Sequence, residues 1–419
     1  MKILWLCNVQ FSKTGVAGTG SWLQPLAEAL QGTEELEIVN LTTGNVNKAI
    51  KQESNIICQW LIPENEFLSY GHTASKTTCQ TVAQILDIEK PDLVHIWGTE
   101  SFWASIYSQG YIKQKTVLDI QGLLFAYTDY YYGGLTVSEI FKCVHTKELL
   151  MPWRTIFGKK NVFRKRGIEE QKHLKNFTYI SYQSEWVKHQ LLQINPAANL
   201  YNTKIILREA FYNARKWQYR MPGNSPVIFS SCSAAVTYKG LHVLIKAVAL
   251  LKLKFPLIQL KIAGIVNVGN KLLDGYSHFL NSLIDKSGLR NNVVLTGSLD
   301  ELAMVKELQN ANVCAVPSFI ETYCLAFAEA MFIGVPTVAS FTGAMPELAD
   351  NDKEALFYNP PDYVTCASHI EELITNKGKA ETISTNAIQR RSKENEKSLV
   401  VKNQILIYRK TLDNISSTV

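Results

Sequence analysis

Short runs rich in β-branched and aromatic residues alternate along this chain with longer amphipathic segments, the pattern of βαβ units and a parallel sheet. In the first half the runs predict strands over 2–7, 36–41, 92–97, 115–119, 177–181 and 204–208, and helical periodicity predicts helices near 20–31, 77–88, 136–150 and 183–193. The alternation breaks at 215–226, where two prolines, a glycine and few aliphatics mark a linker. It then resumes, with strands over 227–231, 257–263, 292–296, 312–316 and 335–339 and helices over 240–254, 272–287, 300–310 and 324–333. Helical stretches near 364–376, 379–392 and 398–413 close the chain. The expected architecture is α/β: two Rossmann-like, doubly wound domains facing each other across a cleft, over 1–214 and 227–397, with the last helix, about 398–419, available to pack back on the first.

Composition narrows this without changing it. The 419 residues are 46% hydrophobic and 19% charged, which excludes a disordered chain, a collagen and a coiled coil. No run approaches the roughly 18 consecutive apolar residues of a membrane span, and the opening Met1–Cys7 reads as a strand, not a secretory signal. The eight cysteines are scattered, with no CxxC pair or neighbouring histidines to suggest zinc, so a reduced cytoplasmic setting is expected.

The passage 317–340 carries the most chemistry. An apolar strand ends at Pro317, a loop carries Glu321, and a small-residue helix holds Glu329 in the middle of its run. A buried helix face seldom tolerates an unpaired carboxylate, so Glu329 needs a partner; a ribose diol would supply two hydroxyl donors. The amides of Thr322, Tyr323, Cys324 and Leu325, at the positive end of that helix, could hold a diphosphate. Glu321 would then accept from hydroxyls of a sugar attached to it.

Two glutamates with seven residues between them, Glu321 and Glu329, followed by Ala330-Met331, Gly334-Val335-Pro336 and Ala339-Ser340, resemble the signature of the retaining GT-B glycosyltransferases of glycosyltransferase family 4 (glycosyl transferases group 1). Phe341-Thr342-Gly343-Ala344-Met345-Pro346-Glu347 is similar to the Gly-Gly-x-Pro-Glu segment that follows in that family, and Tyr238-Lys239-Gly240 resembles its Lys-Gly segment, whose lysine meets the donor diphosphate. The resemblance implies a metal-independent hexosyl-type transferase with a nucleotide-sugar substrate and no cofactor. It assigns catalytic roles to Glu321 and Lys239 and donor contacts to 322–325, Glu329, Gly264 and Ser233. Three departures stand out. Ser233-Ala234 occupy the usual Gly-Arg, so a second cation is missing unless another base, such as Arg208, substitutes; Cys324 replaces a common glycine; and Ala344 replaces the second glycine of Gly-Gly.

On the first domain, Gly15–Trp22 follows strand one without completing a dinucleotide fingerprint, since Leu23 takes the third glycine position and Asn40 ends the second strand. Gly18 and Gly20 read either as a turn or, by the resemblance, as a cleft loop. His95 is equally compatible with a core histidine and a ligand-facing one. Glu100, at the strand exit, is the better acceptor group, with Gln121 and Arg208 on the same side of the cleft. Asp350-Asn351-Asp352 formally matches a metal motif but lies in a polar turn, so no metal is expected.

The net charge of +6 has one source: residues 139–176 hold ten Lys or Arg against four Glu, interleaved with apolar side chains such as Phe141, Leu149, Leu150, Trp153 and Phe157. Such a segment either lies on an anionic membrane surface or packs as a solvated helical face; no nucleic-acid motif accompanies it. The resemblance, taken with these residues, implies retaining transfer of a sugar from a nucleotide-sugar donor to a glycan or lipid-linked glycan acceptor, in surface polysaccharide synthesis, at the inner face of the cell membrane. A nucleotide-sugar-binding protein without turnover and a GT-B nucleotide-sugar epimerase stay open beside it, while the incomplete fingerprint disfavours a dehydrogenase.

Overall fold

The computed structural model describes residues 1–12, 20–52, 57–64, 73–265 and 274–414. Strands β1 (Lys2–Leu6), β2 (Glu37–Gly44), β3 (Ile50–Gln52), β4 (Cys58–Pro63), β5 (Leu93–Trp97), β6 (Lys115–Asp119), β7 (Tyr179–Tyr182) and β8 (Asn199–Asn202) form one sheet. Its order is β3-β4-β2-β1-β5-β6-β7-β8, parallel except for the antiparallel edge strand β3. Strands β9 (Val227–Ala234), β10 (Gln259–Ile265), β11 (Val293–Gly297), β12 (Val313–Val316), β13 (Thr337–Ser340) and β14 (Leu356–Tyr358) form a second, fully parallel sheet in the order β11-β10-β9-β12-β13-β14. Helices α1 (Leu23–Gln31), α2 (Lys76–Glu89), α3 (Trp103–Ser108), α4 (Leu124–Asp129), α5 (Val137–Lys142), α6 (Ile156–Leu174), α7 (Glu185–Ile194) and α8 (Glu209–Asn213) accompany the first half. Helices α9 (Leu241–Leu251), α10 (Gly275–Lys286), α11 (Glu301–Asn310), α12 (Leu325–Ile333), α13 (Met345–Leu348), α14 (Tyr363–Thr375), α15 (Lys377–Glu394) and α16 (Lys397–Leu412) accompany the second.

Each sheet is sandwiched between apolar layers, because alternate residues of a buried parallel strand face opposite sides. In β1 and β5, Leu4, Leu6, Val94 and Ile96 face one layer. Ile3, Trp5, Leu93 and Trp97 face the other, where α16 closes over them with Val400, Ile407 and Tyr408. The last helix thus packs on the first sheet, and Trp5 Nε1 donates to Tyr408 Oη at 3.0 Å.

Two expectations need correction. The strand predicted over 204–208 is absent: β8 lies at Asn199–Asn202, and Leu207, Ala210 and Phe211 enter the core of the second domain. The stretch 215–226 carries no helix or strand and is anchored to the second domain, where Trp217 is buried and its Nε1 donates to Ala311 O at 2.8 Å. Second, the helix predicted over 136–150 is only α5 plus a short 3-10 turn, Thr146–Leu150. The segment around it leaves the first domain and docks on the second: Tyr131, Leu135, Ile140, Cys143 and Ile156 join the core around α9 and α10. Lys246 pairs with Glu139 at 2.7 Å, and Gly275 N donates to Glu148 Oε1 at 3.1 Å. The apolar residues of this segment are therefore divided, with Phe141, Leu149, Leu150, Trp153 and Phe157 left exposed.

Candidate functional site

In an open parallel sheet, loops leaving neighbouring strands in opposite directions open a crevice at their carboxyl ends. In the second sheet that point lies between β9 and β12, and in the first between β1 and β5. The two crevices face a single cavity of about 610 Å³ lined from both domains. The loop after β9 brings Lys239 to it, the loop after β12 brings Glu321, the segment after β1 brings Gly20, and the exit of β5 brings Glu100.

Lys239 Nζ donates to Glu321 Oε1 at 2.6 Å, with the two side chains about 21% and 9% exposed. Burial works against the ammonium, but the facing carboxylate outweighs it and lifts the lysine pKa above its usual range. Gly240 makes this loop possible: it adopts φ +68°, and a Cβ there would meet Pro317 O at 1.9 Å. Glu329 lies on α12, 4% exposed, and its Oε1 accepts from Arg208 Nε at 2.9 Å and Nη2 at 2.7 Å. Burial raises its pKa, opposed by the guanidinium. The partner that sequence required for Glu329 is thus Arg208, which had been placed with the acceptor side of the cleft.

Cys324 sits at φ +78°, the left-handed conformation that the family's glycine adopts freely, so the backbone path survives the substitution. The N–H of Thr322, expected among the phosphate-binding amides, donates to Tyr127 Oη at 3.2 Å. Thr322 Oγ1 also donates to Gln121 O at 2.5 Å, and Ser184 Oγ donates to Thr322 O at 2.8 Å. The loop before α12 is therefore held by the first domain. Glu347 adds a second bridge, its carboxylate accepting from the backbone N–H of Glu185 and Trp186 at 2.7 Å each. Tyr323, Leu325, Ser233 and Gly264 line the same cavity.

On the first-domain wall, the Glu100 carboxyl lies between two glycines: a Cβ on Gly98 or Gly122 would come within 2.2 or 2.6 Å of its oxygens. Burial pushes its pKa to about 7. Behind it Glu170, 1% exposed, accepts from Thr99 Oγ1 and from Phe125 N, the latter at 2.9 Å, and burial pushes this carboxyl to about 7 as well. Both groups have folded-state values above the unfolded 4.5. The folded chain therefore holds protons that the unfolded chain releases, and stability falls as pH rises from about 4.5 to about 7. Glu170→Gln should flatten that slope and add up to about 3 kcal/mol above pH 7. Urea midpoints measured across this range check it, and an unchanged slope would remove the assignment.

His95 is not brought to the cavity. It lies mid-strand on the face covered by α16, fully buried, with Nδ1 2.8 Å from Tyr408 Oη and its ring 3.8 Å from that of Trp97. Burial holds it neutral, well below its usual pKa. Gly18 lies outside the described residues. Asp350 meets Lys353 and Arg390 at 3.3 Å each, and Asp352 meets Lys379, so both carboxylates serve ion pairs. Sequence reasoning missed Tyr127 and Phe163, which line the cavity beside Tyr238. The signal available for Tyr127 was its place on the segment just beyond the β6 exit, where Gln121 had been noticed.

Residues 213–390 match the family described as glycosyl transferases group 1. Protein CapJ of Staphylococcus aureus is 32% identical over 156 residues, 37% of each chain. The MMP alpha-(1->4)-mannosyltransferase of Mycolicibacterium hassiacum is 25% identical over 191 residues, 45% of this chain and 44% of that one. The matched stretches span less than half the length of these relatives. Among solved structures, sucrose-phosphate synthase from Thermosynechococcus elongatus superposes with a TM-score of 0.72 at 16% identity, covering 99% of both chains. Anabaena Alr3699/HepE in complex with UDP and glucose superposes at 0.65 and 17%, covering 99% of this chain and 100% of that one. At such identities these likenesses speak for the fold, and the matched stretch for the ancestry. The chain is built on the two-domain GT-B fold, and its residues 213–390 match the glycosyl transferases group 1 family.

Proposed function

We propose that this protein transfers a sugar from a nucleotide-sugar donor to a hydroxyl of a glycan or lipid-linked glycan acceptor, with retention of configuration. The observation that carries the reading is the Lys239–Glu321 pair at 2.6 Å, at the switch point of the second sheet and in one cavity with Glu329. Lys239 and the amides of Tyr323, Cys324 and Leu325 hold the diphosphate, Glu329 takes the ribose, and Glu321 orients the donor sugar. As the glycosidic bond breaks, the departing diphosphate gathers charge, and a preorganised ammonium and helix end stabilise it more than they stabilise the ground state. Those groups do what a divalent cation does elsewhere, so the reading needs no metal. Glu100, Gln121 and Gly20 form the acceptor wall. The HepE complex, which holds UDP and glucose on the same fold, supports the donor class.

Thermal-shift titration with UDP, GDP and ADP tests the donor site; a midpoint that none of them moves would sink it. Product analysis with a nucleotide-sugar panel then identifies base and sugar. One observation favours the epimerase reading: Glu100 is a cavity carboxyl titrating at about 7, suited to moving a proton near neutrality. Solvent deuterium appearing in the sugar without an acceptor would select it.

The reading extends to an anionic membrane surface on the cytoplasmic side, as fits a lipid-linked acceptor and a surface polysaccharide product. Among the described residues no helix is long and apolar enough to cross a membrane. The support is the docked segment, where exposed Phe141, Leu149, Leu150 and Trp153 stand among exposed Lys142, Lys147 and Arg154. Each such charge contributes about 1 kcal/mol near an anionic surface. Flotation with liposomes that ignores both salt and anionic lipid content would exclude it.

A further inference from the structure

We infer that Arg208 is the second cation of the donor site, reaching the diphosphate from the crossover between β8 and α8 instead of from the loop after β9. The inference rests on the donor reading above and assigns a residue to it.

Charge makes the second cation necessary. Among the described residues lining the cavity, the carboxylates are Glu100, Glu321 and Glu329 and the cations are Arg208 and Lys239. A nucleoside diphosphate adds negative charge to a space where Glu321 and Glu329 already balance the two cations and Glu100 supplies no positive charge. Lys239 shares its charge with Glu321 at 2.6 Å, and Ser233 and Ala234, where the family places its basic residue, bring none.

Arg208 has the geometry to serve. It is 6% exposed and stands at the residue just before α8, with its guanidinium carbon 5.0 Å from the centre of the Phe211 ring. Both of its bonds converge on one oxygen, Glu329 Oε1. A guanidinium carries five N–H donors. Among the described residues Nη1 makes no hydrogen bond, and Glu329 Oε2 accepts none. The pair is thus half used on each side. Ribose hydroxyls can donate to Oε2 while Nη1 donates to a phosphate oxygen, without the ion pair opening. Planar guanidinium groups bind phosphate well for the same reason that they bind carboxylate.

The competing account is that Arg208 only neutralises Glu329. Affinities of a nucleoside, its monophosphate and its diphosphate, measured by calorimetry on the wild type, Arg208→Lys and Arg208→Gln, separate the two. If Arg208 meets the diphosphate, Arg208→Gln should weaken diphosphate binding about ten- to a hundredfold while nucleoside affinity changes less than about threefold. An equal fall for nucleoside and diphosphate, or no fall, overturns the assignment. Arg208→Lys keeps a charge beside Glu329 and guards against misfolding. It should give an intermediate loss, again confined to the phosphorylated ligands, and a loss shared by the nucleoside counts against the proposal. A wild type that binds none of these nucleotides removes the donor reading itself, an outcome distinct from wild-type binding with an equal loss in the variants.

Discussion

Replacing Glu329 by alanine should destabilise the second domain by about 3–5 kcal/mol, the usual cost of removing one member of a buried ion pair. Arg208 is 6% exposed and bonds Glu329 through Nε and Nη2, so without the carboxylate it would remain buried, charged and unpaired. An arginine cannot escape this by losing its proton. A double variant, Arg208→Met with Glu329→Met, should recover most of the loss, because apolar residues of similar volume often replace a buried pair at little cost. Urea unfolding of the wild type, the single variant and the double variant checks both statements. A Glu329→Ala chain within 1 kcal/mol of the wild type would show that solvent reaches the guanidinium. This bears on any nucleotide-binding test: lost ligand stabilisation in Glu329→Ala mixes a missing ribose contact with a weakened domain. Glu329→Gln, which keeps an acceptor for Arg208, is the cleaner variant.

Most of the fold was legible because a buried parallel strand leaves a compact apolar run, and the run at 115–119 coincides with β6. What escaped has identifiable causes. β14 at Leu356–Tyr358 and β3 at Ile50–Gln52 are three residues each, too short to show a period. Ile205, Ile206 and Leu207 read as a strand because they are aliphatic, but their burial comes from packing between domains. α6 has no bounds legible in the sequence, where 139–176 reads either as a membrane-surface segment or as a solvated helical face: its stretch is dominated by basic residues, and its buried residues are Ile156, Gly167, Glu170 and Leu174. Of the two readings the helical face holds for α6, whose Gly167 packs directly on Phe125. At the site, the Lys239 and Glu321 loops could be read because strand-loop-helix order places them. The Arg208–Glu329 pair spans 121 residues and His95–Tyr408 spans 313, separations at which a single sequence carries no pairing signal.

The docked segment changes what its charges mean. Glu139 and Glu148, two of the four acids in the basic stretch, are turned toward the second domain, where they meet Lys246 and Gly275 N. The outward face is therefore more basic than the sequence count suggests, and it is the face that carries the exposed aromatic residues. The same segment passes the loop that holds Lys239, since Thr237 Oγ1 donates to Tyr131 O and a Cβ on Gly133 would meet Thr237 O at 2.1 Å. Packing of the first domain thus fixes the position of the lysine assigned to the donor.

Gly264→Ala should cost about 2–5 kcal/mol, or leave little soluble protein, because two penalties coincide at this position. Its φ of +116° lies where an L side chain is strained by about 1–2 kcal/mol, and an added Cβ would sit 1.6 Å from Cys232 O on the adjacent strand. That contact is with backbone, so relief requires β9 and β10 to separate, and forced overpacking of this kind costs about 1–3 kcal/mol more. The strands leave no slack: their register already shifts between Ala263 and Ile265, and glycine is what lets the chains approach at the shift. Gly223→Ala provides the control, with a positive φ of +55° but nothing within 4 Å of the added atom, so it should cost only about 1–2 kcal/mol. Equilibrium urea unfolding of both variants separates strain from collision. Equal losses would mean that the β9–β10 contact yields, whereas a larger loss at Gly264 would show that this glycine sets how closely the two strands meet at the cavity wall.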